Sequence, residues 1–154
     1  MKRSRALKLG NTFIGAMAVY GLVVSLLWIF NTKVMFISDF AGYTGQTWFD
    51  YYDAAPRFAQ IYMINKKLIG FPIMSMCVLS WFIGQYGLRK GEKWSWFALL
   101  IAGLLTWGSL IGYKIVLGYF NPDPSSLTFI VGALLCLIGL AVSARAVLGK
   151  EPTG

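Results

Sequence analysis

Charge-free apolar stretches occupy residues 9–32, 68–88, 94–113 and 124–144, with charged positions closing each one off. A bilayer core of about 30 Å is crossed by about 20 helical residues at 1.5 Å each. Lipid offers no partner to an open backbone, so segments of this length and polarity are expected to be helices. The pattern predicts an all-α integral membrane bundle of four transmembrane helices, at about 10–31, 68–88, 94–114 and 125–145, in a single domain 1–154.

The segment between the first two spans, 33–67, follows a different pattern. It carries nine aromatic residues, among them Phe36, Phe40, Tyr43, Trp48, Tyr51, Tyr52, Phe58 and Tyr62, more apolar surface than a solvated loop leaves open. Phe58, Ile61, Tyr62 and Asn65 recur at i, i+3, i+4 and i+7, with Asp53 placed to cap and Pro56 in a first turn. A short amphipathic interfacial helix is therefore expected over 56–67, with Lys66 and Lys67 at the water boundary. The half before it, with Gly42 and Gly45, reads as irregular.

Composition strengthens the membrane reading. The chain is 57% apolar and 13% charged, where soluble domains carry about 25% charged residues. A net charge of +8 on so apolar a chain points to a membrane surface, not to nucleic acid. The first span follows a basic start, Lys2, Arg3 and Arg5, as a signal peptide does, but it is too long for an h-region and ends in Leu27-Trp28-Ile29-Phe30, so it is expected to be retained.

Lysine and arginine placement sets the expected orientation. Lys2, Arg3, Arg5, Lys8, Arg89, Lys90, Lys93, Arg145 and Lys150 fall on one side; Lys33, Arg57, Lys66, Lys67 and Lys114 fall on the other. The richer side is cytoplasmic under the positive-inside rule, which puts both termini inside a bacterial inner membrane. Gly91 supplies the turn of a tight hairpin at 89–93, and Trp94 and Trp96 suit the interfacial aromatic belt. The tail 151–154 is expected to fray.

Candidate chemistry is sparse. With no histidine, no Cys-x-x-Cys and no carboxylate inside a span, neither a catalytic group, a metal site nor a cofactor is expected. Cys77 and Cys136 sit mid-span, where packing is the expected role and a disulfide requires the second and fourth helices to touch. Lys114, near the end of the third span, has two readings: it snorkels to outer headgroups, or it is the counter-ion of Asp39, Asp50 or Asp53 from the overlying loop. Those residues, with Trp48, Tyr51 and Tyr52, form the candidate ligand or lid set. Its bland alternative has the aspartates facing water and the rings anchored in headgroups. Small-xxx-small pairs Ser80–Gly84, Gly108–Gly112 and Gly139–Ser143 mark candidate helix-packing faces, and Pro72 is expected to kink the second span or relax its first turn.

The run Leu88-Arg-Lys-Gly-Glu-Lys-Trp-Ser-Trp96 resembles the cytoplasmic hairpin of small bacterial four-helix membrane proteins, in which an Arg-Arg-Gly-Glu-Arg-Trp-Ala-Trp type run joins spans two and three. The resemblance implies a basic anchor beside interfacial tryptophans and no activity. Small multidrug exporters need a glutamate in the first span. Membrane glutathione transferases need Arg, Asn and Glu in the second span, claudin-like tetraspans paired loop cysteines, and sterol-isomerase-like proteins histidine; none is matched. The expected class is a non-catalytic accessory or scaffold subunit contacting lipids, other transmembrane proteins or its own copies, and not nucleic acid. The competing class is a ligand-binding or transport protein with the aromatic loop lidding a pocket between the helices.

Overall fold

The computed structural model describes residues 3–118, residue 120 and residues 123–149. Lys2, Lys150, Glu151 and the expected fraying at 151–154 lie outside them. The fold is 91% helical, and no strand occurs among the described residues. Its elements are α1 (Arg3–Phe30), α2 (Thr32–Thr44), α3 (Trp48–Ala54), α4 (Pro56–Tyr86), a 3₁₀ turn (Leu88–Lys90), α5 (Lys93–Gly103), a π-helical turn (Leu104–Gly108), α6 (Ser109–Val116) and α7 (Pro124–Leu148). Four helices, Ser4–Phe30, Pro56–Lys90, Lys93–Val116 and Ser125–Leu148, are long and apolar enough to cross a membrane.

α1 is the hub, and small residues let its neighbours close on it. A Cβ on Gly10 would stand 2.8 Å from the Gly139 carbonyl of α7 and from Ser143, and one on Gly84 of α4 would meet Asn11 Oδ1 at 2.8 Å. Gly21 faces Cys77 of α4, and Gly70 faces Ser25 and Ile29. These pairings run antiparallel. Backbones that approach this closely gain dispersion contacts that larger residues would prevent. Gly84, Gly139, Ser143 and the buried Ser80 lie where helices close on one another, and Gly10, Gly21 and Gly70, which were not among the candidate packing residues, pack as closely.

Gly108 and Gly112 depart from the packing expectation within the chain. A Cβ on Gly108 would touch only Leu104 of its own turn, and one on Gly112 would touch nothing within 4 Å. The π turn directs Trp107 inward instead, 1% exposed, onto Gly132 of α7. A residue adjacent on the helix then faces outward. Gly10→Val is expected to lower stability in detergent by about 1–3 kcal/mol through overpacking, and Gly112→Leu to leave the monomer's stability within about 0.5 kcal/mol of the parent. Thermal unfolding of both variants, with oligomer size monitored, checks the contrast.

Cys77 and Cys136 are both buried and unbonded; Cys77 packs on Gly21 and Cys136 on Gly103. The 87–93 connection turns at Gly91 with φ 80°, a left-handed conformation that glycine adopts without a Cβ penalty. Ser95 Oγ donates to the Glu92 carbonyl at 2.6 Å as α5 begins, and the Trp94 indole donates to the Glu92 carboxylate.

The first connection corrects the expected irregular loop. Residues 32–44 are helical, and only Gly45, at φ 69°, ends α2, its N–H bonding to the Ala41 carbonyl. Gly42 is simply carried inside, at the modest cost of a mid-helix glycine. Thr47 caps α3: its Oγ1 accepts from the Asp50 N–H at 3.2 Å and donates to Asp50 Oδ2 at 2.6 Å. Asp53 lies within α3 and caps nothing; Ala55 precedes Pro56 at the start of α4. The helix expected over 56–67 is present, but as the first part of one 31-residue helix that also runs through Pro72.

Candidate functional site

α2 and α3 form a cap over one end of the bundle, and an aromatic cluster fixes it. Trp48, 2% exposed, meets Phe36 edge-on at 4.7 Å and Phe40 at 5.2 Å between ring centroids. Tyr51 lies 5.9 Å and Tyr62 of α4 5.7 Å from the same ring. Edge-to-face geometry sets positive ring edges against negative faces, worth about 0.5–1.5 kcal/mol per pair beyond area burial. Trp48 is the centre of the packing that holds the cap.

Beneath the cap lies a buried ionic cluster. Lys114 near the end of α6 is 3% exposed, which corrects the snorkelling alternative. Its ammonium donates to Asp39 Oδ1 at 2.5 Å, Ser126 Oγ at 2.8 Å and Ser125 Oγ at 3.0 Å, and lies 3.4 Å from Asp123 Oδ1. Ser125 in turn donates to Asp39 Oδ2 at 2.9 Å, and Ser38 donates to Asp123 Oδ2 at 3.0 Å. One lysine thus joins three elements: α2 through Asp39, α6 itself, and the start of α7, with Ser38 of α2 adding a bond to Asp123. The physical reason is desolvation. A lysine this far from water is tolerable only with paired charge and filled donors, and the cap removes water from above it.

Asp123 has a local reason to be there. As the N-cap of α7 it accepts the Ser126 N–H at 2.9 Å, where the helix dipole favours negative charge. The two carboxyls respond in opposite directions. Burial, and then the neighbouring Asp123, push Asp39 above the ordinary 3.8, against the pull of Lys114 and Ser125. Burial also acts to raise Asp123, but hydrogen bonds with Asp39, Ser126 and Ser38 outweigh it and hold that carboxyl below the ordinary value. A proton taken up by the cluster therefore goes to Asp39.

A cleft of about 340 Å³ opens beside the cluster, lined by Asp39, Phe40 and Thr44 of α2, Tyr51, Tyr62 and Lys66, and Tyr113 and Leu117 at the far end of α6. Lys66 Nζ sits 5.1 Å above the Tyr62 ring. Of the candidate ligand set, Asp39 and Lys114 meet, Tyr51 lines the cleft and Trp48 packs below it. Asp50, Asp53 and Tyr52 do not join them: both aspartates are exposed on α3, and Tyr52 is 38% exposed. Asp123, Ser125, Ser126 and Tyr113 were not singled out by the sequence, and Tyr62 and Lys66 were read there only as parts of an interfacial helix. Only the Asp123-Pro-Ser-Ser run carried a local signal, an N-cap followed by proline. Among the described residues no three His, Cys, Asp or Glu side chains gather as metal ligands.

Comparison of the chain with protein-family models, curated proteins and solved structures gives no match in any of the three.

Proposed function

We propose that this chain is a four-span protein of a bacterial inner membrane, termini cytoplasmic, whose outer end carries a non-catalytic ligand-binding cleft. One observation carries the reading: Asp39 of the cap helix α2 converges with Lys114 of α6 at the wall of an aromatic cleft. A buried lysine ion-paired to a partly buried carboxylate fixes the cleft wall in position before any ligand arrives, and preorganised walls bind with less ordering cost. The positive-inside count supports the orientation. α4 has 31 residues, roughly 46 Å at 1.5 Å per residue, and exceeds a bilayer core of about 30 Å. Its first turns then stand at headgroup depth, where the expected interfacial segment and the cleft coincide.

The test is retention of a bound molecule. The full chain, extracted into lipid nanodiscs from its host membrane, is expected to carry a small-molecule or lipid species that Leu117→Trp, filling the cleft, removes. Gly112→Leu, outside the cleft, should retain it. Identical bound species in all three proteins, read by mass spectrometry, would refute a ligand cleft. A second reading, an accessory subunit that holds other spans, is supported by the helix Lys93–Val116. Of the four long apolar helices it is the least buried within the chain.

A further inference from the structure

The cleft's hydrogen-bonding inventory is lopsided. Its carboxylate is already engaged: Asp39 Oδ1 accepts from Lys114 and Oδ2 from Ser125. Thr44 Oγ1 donates to the Phe40 carbonyl and accepts from the Gln46 N–H. The groups left over can all donate. Lys66, half-buried, has an aromatic ring beside its ammonium and no carboxylate within ion-pair distance among the described residues. The hydroxyls of Tyr51 and Tyr113 have no hydrogen-bond partner there either. An ammonium offers three donors and no acceptor, so a complementary ligand must bring acceptor oxygens and negative charge. A cationic ligand would instead have to displace Lys114 from Asp39.

The surroundings select an amphiphile. Val116 is 83% and Tyr113 63% exposed on α6, and Leu117 at the cleft edge is 39% exposed. Ile61, 57% exposed, and Phe58, 70% exposed, lie on the α4 stretch that leads to Lys66. Apolar surface of that extent beside a lysine fits acyl chains descending from a charged head. Building on the cleft reading, we infer that the cleft takes the headgroup of an anionic membrane phospholipid, its phosphodiester oxygens held by Lys66 with the Tyr51 and Tyr113 hydroxyls, and its chains running along α6.

The experiment titrates the full chain in neutral detergent with dihexanoyl phosphatidylglycerol, dihexanoyl phosphatidylcholine or inorganic phosphate, counting bound molecules by native mass spectrometry. Phosphatidylglycerol should bind saturably at one per chain and about tenfold more tightly than phosphatidylcholine. Lys66→Gln should weaken it by about tenfold and abolish the preference, the size of one charge-assisted hydrogen bond. Lys66→Arg should restore it, and Lys67→Gln, the same charge change on an exposed neighbour, should leave it intact. A preference that survives in Lys66→Gln would overturn the headgroup assignment. Equal binding of both lipids, lost in Leu117→Trp, would overturn it too while leaving the cleft reading standing. Lipid binding that Leu117→Trp does not touch would remove both. Displacement of the lipid by inorganic phosphate at matched concentration would replace the lipid by a free oxyanion.

Discussion

Lys114→Met is expected to destabilise the chain by about 3–5 kcal/mol in detergent at pH 7, because it leaves two carboxyls in a cluster built around one cation. Methionine keeps the length and apolar stem of the lysine, so the loss is electrostatic and not a cavity. The triple variant Lys114→Met, Asp39→Asn, Asp123→Asn should recover most of the deficit, since no charge is then stranded. The pH dependence has a definite sign. Asp39 already lies above 3.8 in the folded chain, and removing Lys114 raises it further. An acid with a raised folded value gives stability that is full below about pH 3.8 and is lost as pH rises through the folded value. The gap between variant and parent should therefore narrow from pH 7 to pH 4.5. Asp123 has the opposite sign, and its contribution fades only as pH falls below 3.8, outside that comparison. Chemical unfolding at both pH values measures the effect. A triple variant no more stable than Lys114→Met would show that charge balance is not what holds this end together.

The four helices long and apolar enough to cross a membrane were legible because length and absence of charge suffice to mark them, and no tertiary knowledge is needed. The cap was not, although its signal was present. Phe36, Phe40 and Tyr43 recur at i, i+4 and i+7, a helical spacing, but Gly42 and Gly45 read as two breakers where only Gly45 ends the helix. Lys114 shows a different limit. Its position in the span was plain, and Asp39 stood among its three candidate partners. Whether a lysine near a span end reaches up to headgroups or turns inward depends on what lies over it, and a sequence does not give that. Asp123 opens a helix by a readable rule, yet its meeting with Asp39 joins distant segments. The cleft is less legible still, because its lining comes from four elements, α2, α3, α4 and the end of α6, that only packing brings together. Gly139 and Ser143 close on Gly10, whereas Gly108 and Gly112 carry the same spacing with no other helix against the position a Cβ would take. The pattern reports what a helix permits, and the bulky neighbour, here Trp107, decides which face turns in.

Trp48→Ala should produce the other large effect, and it should be local. Removing a side chain 2% exposed, with ring contacts to Phe36, Phe40, Tyr51 and Tyr62, forfeits its transfer energy and leaves a cavity, about 3–5 kcal/mol together. The bundle does not depend on that ring: α1 meets α4 and α7 through glycine seams along its length. The cap therefore opens before the spans do, as a sub-global unit whose own stability falls. Amide exchange over residues 32–55 should quicken by two orders of magnitude or more, as about 3 kcal/mol at 1.4 kcal/mol per tenfold requires. Exchange over residues 10–28 should not change. Phe49→Ala, at a side chain 67% exposed on the same helix, should stay within about 0.5 kcal/mol of the parent. Because Asp39 sits on α2, an open cap also withdraws the carboxylate nearest Lys114, so Trp48→Ala and Lys114→Met should be strongly non-additive. Additive losses would mean that the aromatic cluster and the ion pairs hold two separate structures and not one lid.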